Sequence, residues 1–551
     1  MKADLTRNTF RYWKHITRVL MQQGRVQLEA DWNEQAAILL HYLRSSAADI
    51  IGPYGRPAAN SGFDLRPLNL LQPTPGDFAL SAGHFFVSGI LCENTPDPIV
   101  IYPLSPINPA LTTLKVAAET LAAQGRFLQI DEVLEIFDAA NPLSYVFGVV
   151  SARDPASRSL TLSIASIPNW IGDNAARPCV RRALTYTKQP DFPMPKTDLI
   201  GPNTTLIYLD VWERLVTYVD DDTIRDVALG GPDTAARAKL VCQVKSLSAK
   251  VLSTKPDKED LVSFLQDKFQ PHNRGYLRAR VKPSVSDSDP CIISPTSRYR
   301  GPENQLYRVE IHTGGSLGAV IPTFKWSREN GSVIFPIVSG GGTNVVTLES
   351  LGRDDRYGLA EGDWVEVVDD DYVLLNRAGT LLQVQSIDRS AIRVTLLGTP
   401  DNNVGNDPTK HPMLRRWDQQ QGDETDGELT LGPDNAAKIK EGSGDDAWLN
   451  LEDGVQVQFE QFDKGQVAPQ YRTGDYWLIP ARTATGDVEW PTEILKDSLG
   501  SSKKWVIALP PDGINHYYAP LGTLTLDDAS NIVQGNISSP VSFTPLGHRF
   551  S

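Results

Sequence analysis

The string Gly314-Gly315-Ser316-Leu317-Gly318 has the G-x-S-x-G spacing that presents a nucleophilic serine on a sharp turn, and His312 lies close to it in sequence. An elbow of that kind needs a strand, the turn and then a helix. Here the second arm, residues 319–326, carries Pro322 and β-branched residues, so the pattern reads as a hairpin turn rather than a nucleophile elbow. The eight histidines, at 15, 41, 84, 272, 312, 411, 516 and 548, never recur at the three- or four-residue step that puts two metal ligands on one helical face. Acidic clusters at Asp220–Asp222, Asp369–Asp371 and Asp287/Asp289 offer carboxylate oxygens to a hard cation, yet none has the twelve-position EF-hand arrangement. Solvated turns and structural cation sites are the two readings of these clusters. There is no G-x-x-x-x-G-K-[ST] phosphate loop, and no strand leads into G-x-G-x-x-G, so nucleotide chemistry has no footing. No catalytic residue, cofactor or metal ligand is assigned.

Four cysteines, Cys92, Cys179, Cys242 and Cys291, form neither a disulfide framework nor a paired C-x-x-C signature and read as buried free thiols. Eleven tryptophans read mostly as core or interface anchors, because burying a large aromatic contributes a few kcal/mol.

The elements that must position these residues are many. A chain of 551 residues is several times the usual domain length, and 40% hydrophobic residues suffice for several cores. Gly 42 and Pro 39 are spread between short apolar runs, which favours strands and loops over helix bundles. A net charge of −14 argues against nucleic acid as a partner, since phosphate neutralisation needs clustered Lys and Arg. The opening is too charged for a secretory apolar region, and no stretch approaches the ~18 continuous apolar residues of a spanning helix. The expectation is a soluble protein made in the cytoplasm.

The N-terminus stands apart. Residues 1–28 carry Lys2, Arg7, Arg11, Lys14, Arg18 and Arg25 against Asp4 alone, in an otherwise acidic chain. Asp31 and Glu34 make a capping-box pattern before Ala36, Leu39, Leu40, Leu43, Ala47 and Ile50 at three- and four-residue steps, and Gly52-Pro53 closes the run. The spacing predicts an amphipathic helix over about 31–51 whose apolar stripe needs a partner. Arg18, Gln22, Gln23, Arg25, Trp32, Leu39, Leu40, Leu43 and Ile50 are the candidate interface residues. Residues 1–52 are expected to dock into an assembly, and the rest to fold without them.

Beyond Pro53 the patterns alternate. Strands are expected at 78–80, 84–91, 145–151, 159–167 and 206–219, with a small helical insertion over 110–147, where Ala, Leu and Glu fall at helical spacing. A linker helix near 258–269 and a hairpin around Gly314-Gly315 follow. Short strands at 363–368, 372–376, 381–387 and 392–397 suggest a small β-barrel with Trp364 inside, and 399–446 reads as an exposed loop with a strand near Leu429. The expected fold is mainly β and multidomain, with β-sandwich and small β-barrel units. Its expected parts are an arm and helix (1–55), a β-rich domain (56–255), a linker-and-hairpin region (256–350), the barrel (351–400) and a C-terminal β-rich domain (401–551).

Several strings also resemble a known family. Gln22-Gln23-Gly24-Arg25-Val26 with Leu28-Glu29-Ala30-Asp31-Trp32-Asn33-Glu34-Gln35 is similar to the opening of uncharacterised structural proteins encoded in phage-tail-like contractile injection system gene clusters. Strings of the same type follow in order: Tyr208-Leu209-Asp210-Val211-Trp212-Glu213-Arg214, Ala228-Leu229-Gly230-Gly231-Pro232-Asp233-Thr234, Phe324-Lys325-Trp326-Ser327-Arg328-Glu329-Asn330-Gly331 and Arg472-Thr473-Gly474-Asp475-Tyr476-Trp477. The resemblance implies a non-enzymatic particle component at or near the baseplate, a homo-oligomer of three or six copies, with baseplate, sheath or spike proteins as partners and contact with a membrane or cell surface only through the particle. The alternative is a tail-fibre-like receptor or glycan-binding protein of the same particle.

Overall fold

The computed structural model describes the chain except residues 59–60, 73, 104–111, 117–121, 124–125, 155, 157–158, 166–167, 169, 171–176, 194–204, 232, 256–259, 284–297, 318–320, 355, 463–466, 497–501, 525–541 and 544–551; for 101–103, 112–116, 122–123, 126–127, 249, 496, 502–504 and 542–543 it describes the backbone alone. Strand accounts for 39% and helix for 14%, so the fold is mainly β, as the composition implies. The chain divides into two compact units, each assembled from separated stretches: Met1–Leu40, Glu213–Lys239 and Gln270–Asn515 in one, His41–Trp212, Leu240–Phe269 and His516–Ser551 in the other. Linear domain boundaries at 55, 255, 350 and 400 do not describe this division.

In the first unit, a five-stranded sheet has the order Ala437–Lys438, Thr323–Ser327, Gln305–Thr313, Tyr476–Arg482, Asp487–Val488. A three-stranded sheet, Leu277–Val281, Val455–Phe459, Leu449–Asn450, shares a core with it through Tyr307, Val309, Ile311, Phe324, Val457, Phe459 and Trp477. Odd-numbered residues of Gln305–Thr313 fill this sandwich because successive side chains alternate faces. The other face carries Arg308, Glu310 and His312, also buried. Antiparallel pairing of Gln305–Thr313 with Thr323–Ser327 bears out the hairpin around Gly314-Gly315.

The same unit holds a closed six-stranded barrel: Ile334–Ser339, Val345–Leu348, Arg393–Leu396, Leu381–Asp388, Trp364–Val368 and Met413–Trp417. The barrel is real but wider in sequence than 351–400. Three expectations need correction here. Residues 372–376 are not a strand: Asp369 accepts from Tyr372 N at 3.2 Å and caps the short helix Asp370–Leu374. Trp364 is not inside the barrel; Val365 and Val367 point inward, so Trp364 falls on the outer face beside Leu381 and Trp417. Nor is 399–446 an exposed loop. Met413–Trp417 is a wholly buried barrel strand, and Leu429, Ala436, Ala437 and Ile439 are buried too. Its Asp, Asn and Gly residues serve as turn formers between these short buried pieces.

The second unit has its own closed barrel, Val133–Asp138, Asn141–Asp154, Ser159–Ile164, Thr112–Val116, Ile99–Pro103 and Pro178–Arg182. This overturns the helical insertion over 110–147. Val133, Ile136 and Phe137 favour a pleated surface, and Val133–Asp138 is hydrogen-bonded to strands on both sides. Buried Glu135 is satisfied by Arg66 at 2.7 Å and Arg181 at 2.8 Å. Thr205–Val216 is central in a sheet between Arg237–Ser248 and Tyr517–Leu524, as its apolar, β-branched run implies. Helix Leu261–Phe269 begins after Asp260, whose carboxylate accepts from Val262 N and Ser263 N. Its Phe264 and Leu265 pack with Tyr208 and Tyr518, so it covers a sheet, and the chain passes from one unit to the other just after Phe269.

Candidate functional site

The chemical motifs are accounted for first. The Ser316 hydroxyl donates to Pro469 O at 2.6 Å and accepts from Gln470 Nε2 at 2.6 Å, and the arm beyond it is the strand Thr323–Ser327, not a helix. The acidic clusters act as caps and ion-pair partners. Asp220 accepts from Thr217 N at 2.8 Å, Asp370 meets Arg214 at 2.9 Å and His411 Nδ1 at 2.7 Å, and Asp371 meets Lys410 at 2.7 Å. Asp287 and Asp289 lie outside the described residues. Among the described residues no group of three or more His, Cys, Asp or Glu side chains could hold a metal ion. Cys92, Cys179 and Cys242 are free, the first two buried and the third half-buried, while Cys291 lies outside the described residues.

A buried ionic layer escaped the sequence reading. On the face of Gln305–Thr313 turned away from the sandwich core, Glu310 accepts from Arg308 Nε at 2.6 Å and lies 3.5 Å from Lys325 Nζ. Lys325 Nζ reaches Glu366 at 2.6 Å, and Glu366 also accepts from Trp417 Nε1 at 2.8 Å and Gly379 N at 2.8 Å. Burial alone pushes Glu366 up, but Lys325, Lys2 and His312 outweigh it and hold the carboxyl down at about 2. Glu310 is held below the usual carboxylate range in the same way, by Lys2, Arg308 and Lys325 against burial. His312 is pulled down to about 4 by burial and then by Lys325, and its Nδ1 has no hydrogen-bond partner among the described residues. The signal available in sequence was charge at every second position of apolar strands, Arg308, Glu310 and His312. Period two puts such residues on one face without saying that the face is covered.

The N-terminal arm is anchored on this layer. Lys2 Nζ lies 2.9 Å from Glu310, and Asn330 Nδ2 donates to Met1 O at 3.0 Å and Ala3 O at 2.8 Å. Asn330 sits at φ 53 beside Gly331 at φ 66, a pair suited to a tight Asn-Gly turn. Arg482 then donates to Thr6 O at 3.0 Å. The first residues thus complete the ionic layer of the first unit, which counts against the expectation that the rest folds without residues 1–52. Further on, Thr6 donates to Glu29, Thr9 Oγ1 to Glu34 at 2.5 Å and Val19 N to Gln35 at 2.8 Å, fastening the arm to the helix that follows.

That helix, α1 (Glu29–Ile51), starts two residues before the expected 31, and Glu34 serves Thr9 rather than a capping box. Gly52, at φ 99, donates to Ala48 O and ends it, as the Gly-Pro signal implied. On its inward side Ala30 and Ile38 are buried, and Glu34, Ala37, Arg44 and Ala48 half-buried. The candidate interface residues all lie on the outside. Trp32 is 61% exposed, Leu39 54%, Leu40 45%, Leu43 67% and Ile50 74%, and Arg18, Gln22, Gln23 and Arg25 on the arm are exposed as well.

With this geometry established, comparison with known proteins gives one match: a family of unknown function, DUF6519, over residues 1–111, 200–271 and 258–534. The chain belongs to this family. No curated protein and no solved structure matches it. The three matched stretches of this DUF6519 chain take in the arm, α1, the buried ionic layer and the barrel at 334–417. Much of the barrel at 99–182 falls between the first two.

Proposed function

We propose that this DUF6519 chain is a non-enzymatic structural component of a phage-tail-like contractile injection particle, placed at the baseplate or attached to it. The observation that carries the proposal is the outward apolar face of α1, from Trp32 to Ile50, set beside an exposed basic arm. Monomeric soluble proteins rarely leave so continuous an apolar stripe in water. The strings that resemble those of proteins encoded in injection-system clusters suggest the kind of assembly, and among the described residues the acidic clusters at 220–222 and 369–371 are engaged as caps or ion-pair partners. In this reading the chain is made in the bacterial cytoplasm and leaves or is anchored there only as part of the particle. The test is to purify particles from cells carrying a tagged chain and to reconstruct them with and without it. Density for the chain at the sheath–baseplate region supports the proposal, and its absence from purified particles overturns it.

A second reading, surface or glycan recognition, draws on the hairpin Thr492–Lys496 and Ser502–Val506, which exposes Ile494 and Trp505. Exposed aromatics beside polar groups suit sugar faces. Density confined to a distal tip, with loss of cell binding on Trp505→Ala, would favour it.

A further inference from the structure

The outward face of α1 has a stricter pattern than amphipathicity. Trp32, Ala36, Leu39, Leu43, Ser46 and Ile50 follow one another at alternating steps of four and three residues, and all six are exposed. That spacing averages 3.5 residues, the repeat of the a and d positions of a coiled coil, whereas a helix packed against its own globule shows a broader stripe of period 3.6. The helix already has an inward side, through Ala30, Ile38, Arg44 and Ala48, so the seam opposite is not what attaches it to its own chain. We infer that this seam packs against the same seam of a second copy of this chain, forming a short helical coiled coil at the centre of a homo-oligomer.

Three observations favour a second copy over other occupants. The flanking positions are Asn33, Leu40 and Ala47 on one side and Gln35, Tyr42 and Asp49 on the other, with one charge among the six. Copies meeting through this seam therefore face little like-charge repulsion, and there is no alternating charge code of the kind that selects a different partner helix. On α1 itself the positions flanking the seam carry no Lys or Arg, unlike the basic rim of a helix that lies on a membrane surface. Finally, Trp32, Leu39, Leu43 and Ile50 in the seam, with Leu40 and Tyr42 beside it, are about half exposed or more and offer on the order of several hundred Å² of apolar surface per copy. A standard interface buries about 800 Å² per partner, so the seam supplies much of one and the adjacent arm can add to it.

The inference deepens the structural reading above and rests on it only for the biological setting. The test is sedimentation equilibrium of the full chain from submicromolar concentrations upward. The expected mass is a multiple of the 60.6 kDa chain. Leu39→Asp with Leu43→Asp should weaken association at least about tenfold, because it sets charges inside the seam, while the circular dichroism spectrum stays that of the folded, unaltered chain. Ser45→Asp, outside the seam, should associate as the unaltered chain does. A photo-crosslinking residue placed at Leu43 should join α1 of one copy to α1 of another. A chain monomeric at every concentration, seam variants that associate normally, or crosslinks that reach only another protein or lipid would each overturn the inference. Absence from particles combined with self-association through the seam would remove the proposed function and leave this inference standing; presence in particles as an isolated monomer would do the reverse.

Discussion

The Lys2 ammonium lies 2.9 Å from the Glu310 carboxylate, tying the first residues of the chain to the middle of a sheet strand. Lys2 also stands over the Trp417 ring at 5.7 Å, where Lys325 stands at 4.5 Å. Burial pulls Lys2 down to about 8 against the opposing pull of Glu310, so it is still largely charged at neutral pH. Lys2→Ala should cost about 1–3 kcal/mol, less than a sole buried partner would, because Arg308 and Lys325 remain on Glu310. Urea unfolding of the two chains measures it. An unchanged midpoint would show that the arm is only laid on the surface.

Lys325 and Glu366 pair at 2.6 Å, both almost without solvent. Removing one partner leaves a buried charge uncompensated, so Glu366→Ala should destabilise by about 3–5 kcal/mol. Replacing both, with Lys325→Met and Glu366→Leu, should recover much of that loss, though Trp417 Nε1 then lacks its acceptor. A double-mutant cycle by chemical unfolding separates the pair from its surroundings. Additive losses would mean that the two do not act as a unit.

How much of this was legible follows from what each pattern encodes. Alternation reports which residues share a face, so the Gln305–Thr313 hairpin and the central Thr205–Val216 strand could be read. It does not report what covers that face, which is why Glu310 and Glu366 went unnoticed as a buried layer. Helical spacing at 131–140 was outweighed by ladder pairing on both sides, a non-local fact. Trp364 lies on the face opposite to the expected one, because a one-residue phase error sends every side chain of a strand to the other face. For the candidate site, the stripe of α1 was visible from its spacing. That its other side is the one turned to the chain's own residues, Ala30 and Ile38, needed the structure.

Acid should unfold the first unit in two stages. His312 is held down at about 4, so between that value and its ordinary 6.5 the unfolded chain binds more protons than the folded one. Stability therefore falls as pH drops from about 6.5 to 4. Glu366, held at about 2 instead of 4.5, is depressed, so its contribution is present above 4.5 and lost as pH falls from 4.5 towards 2. The groups acting on His312 are Lys325, Glu366, Asp434 and Glu310. His312→Gln should flatten the upper stage and leave the lower one, read as melting temperature against pH. An unchanged slope between pH 6.5 and 4 would assign the first stage elsewhere.

The hairpin joining Gly83–Val87 to Ile90–Asn94 turns through Ser88 at φ 48 and Gly89 at φ 75, the paired positive angles of a tight hairpin turn. This turn meets the second half of α1. A Cβ on Gly89 would fall 1.9 Å from Arg44 O, 2.7 Å from Arg44 C and 2.9 Å from Ala48 N, all backbone atoms that cannot rotate away. Gly89→Ala must therefore both strain the left-handed turn and push the helix off the hairpin. Each effect costs on the order of 1–3 kcal/mol, giving an expected loss of about 2–5 kcal/mol. Gly52 offers the contrast, since it too has a positive angle, φ 99, but nothing lies within 4 Å of its Cβ position. Gly52→Ala should then lose only the conformational part, about 1 kcal/mol. Thermal unfolding of both variants, with hydrogen exchange along 41–51, reads the difference. Equal losses at the two glycines, with no faster exchange in α1 for Gly89→Ala, would show that the hairpin does not hold the helix in place.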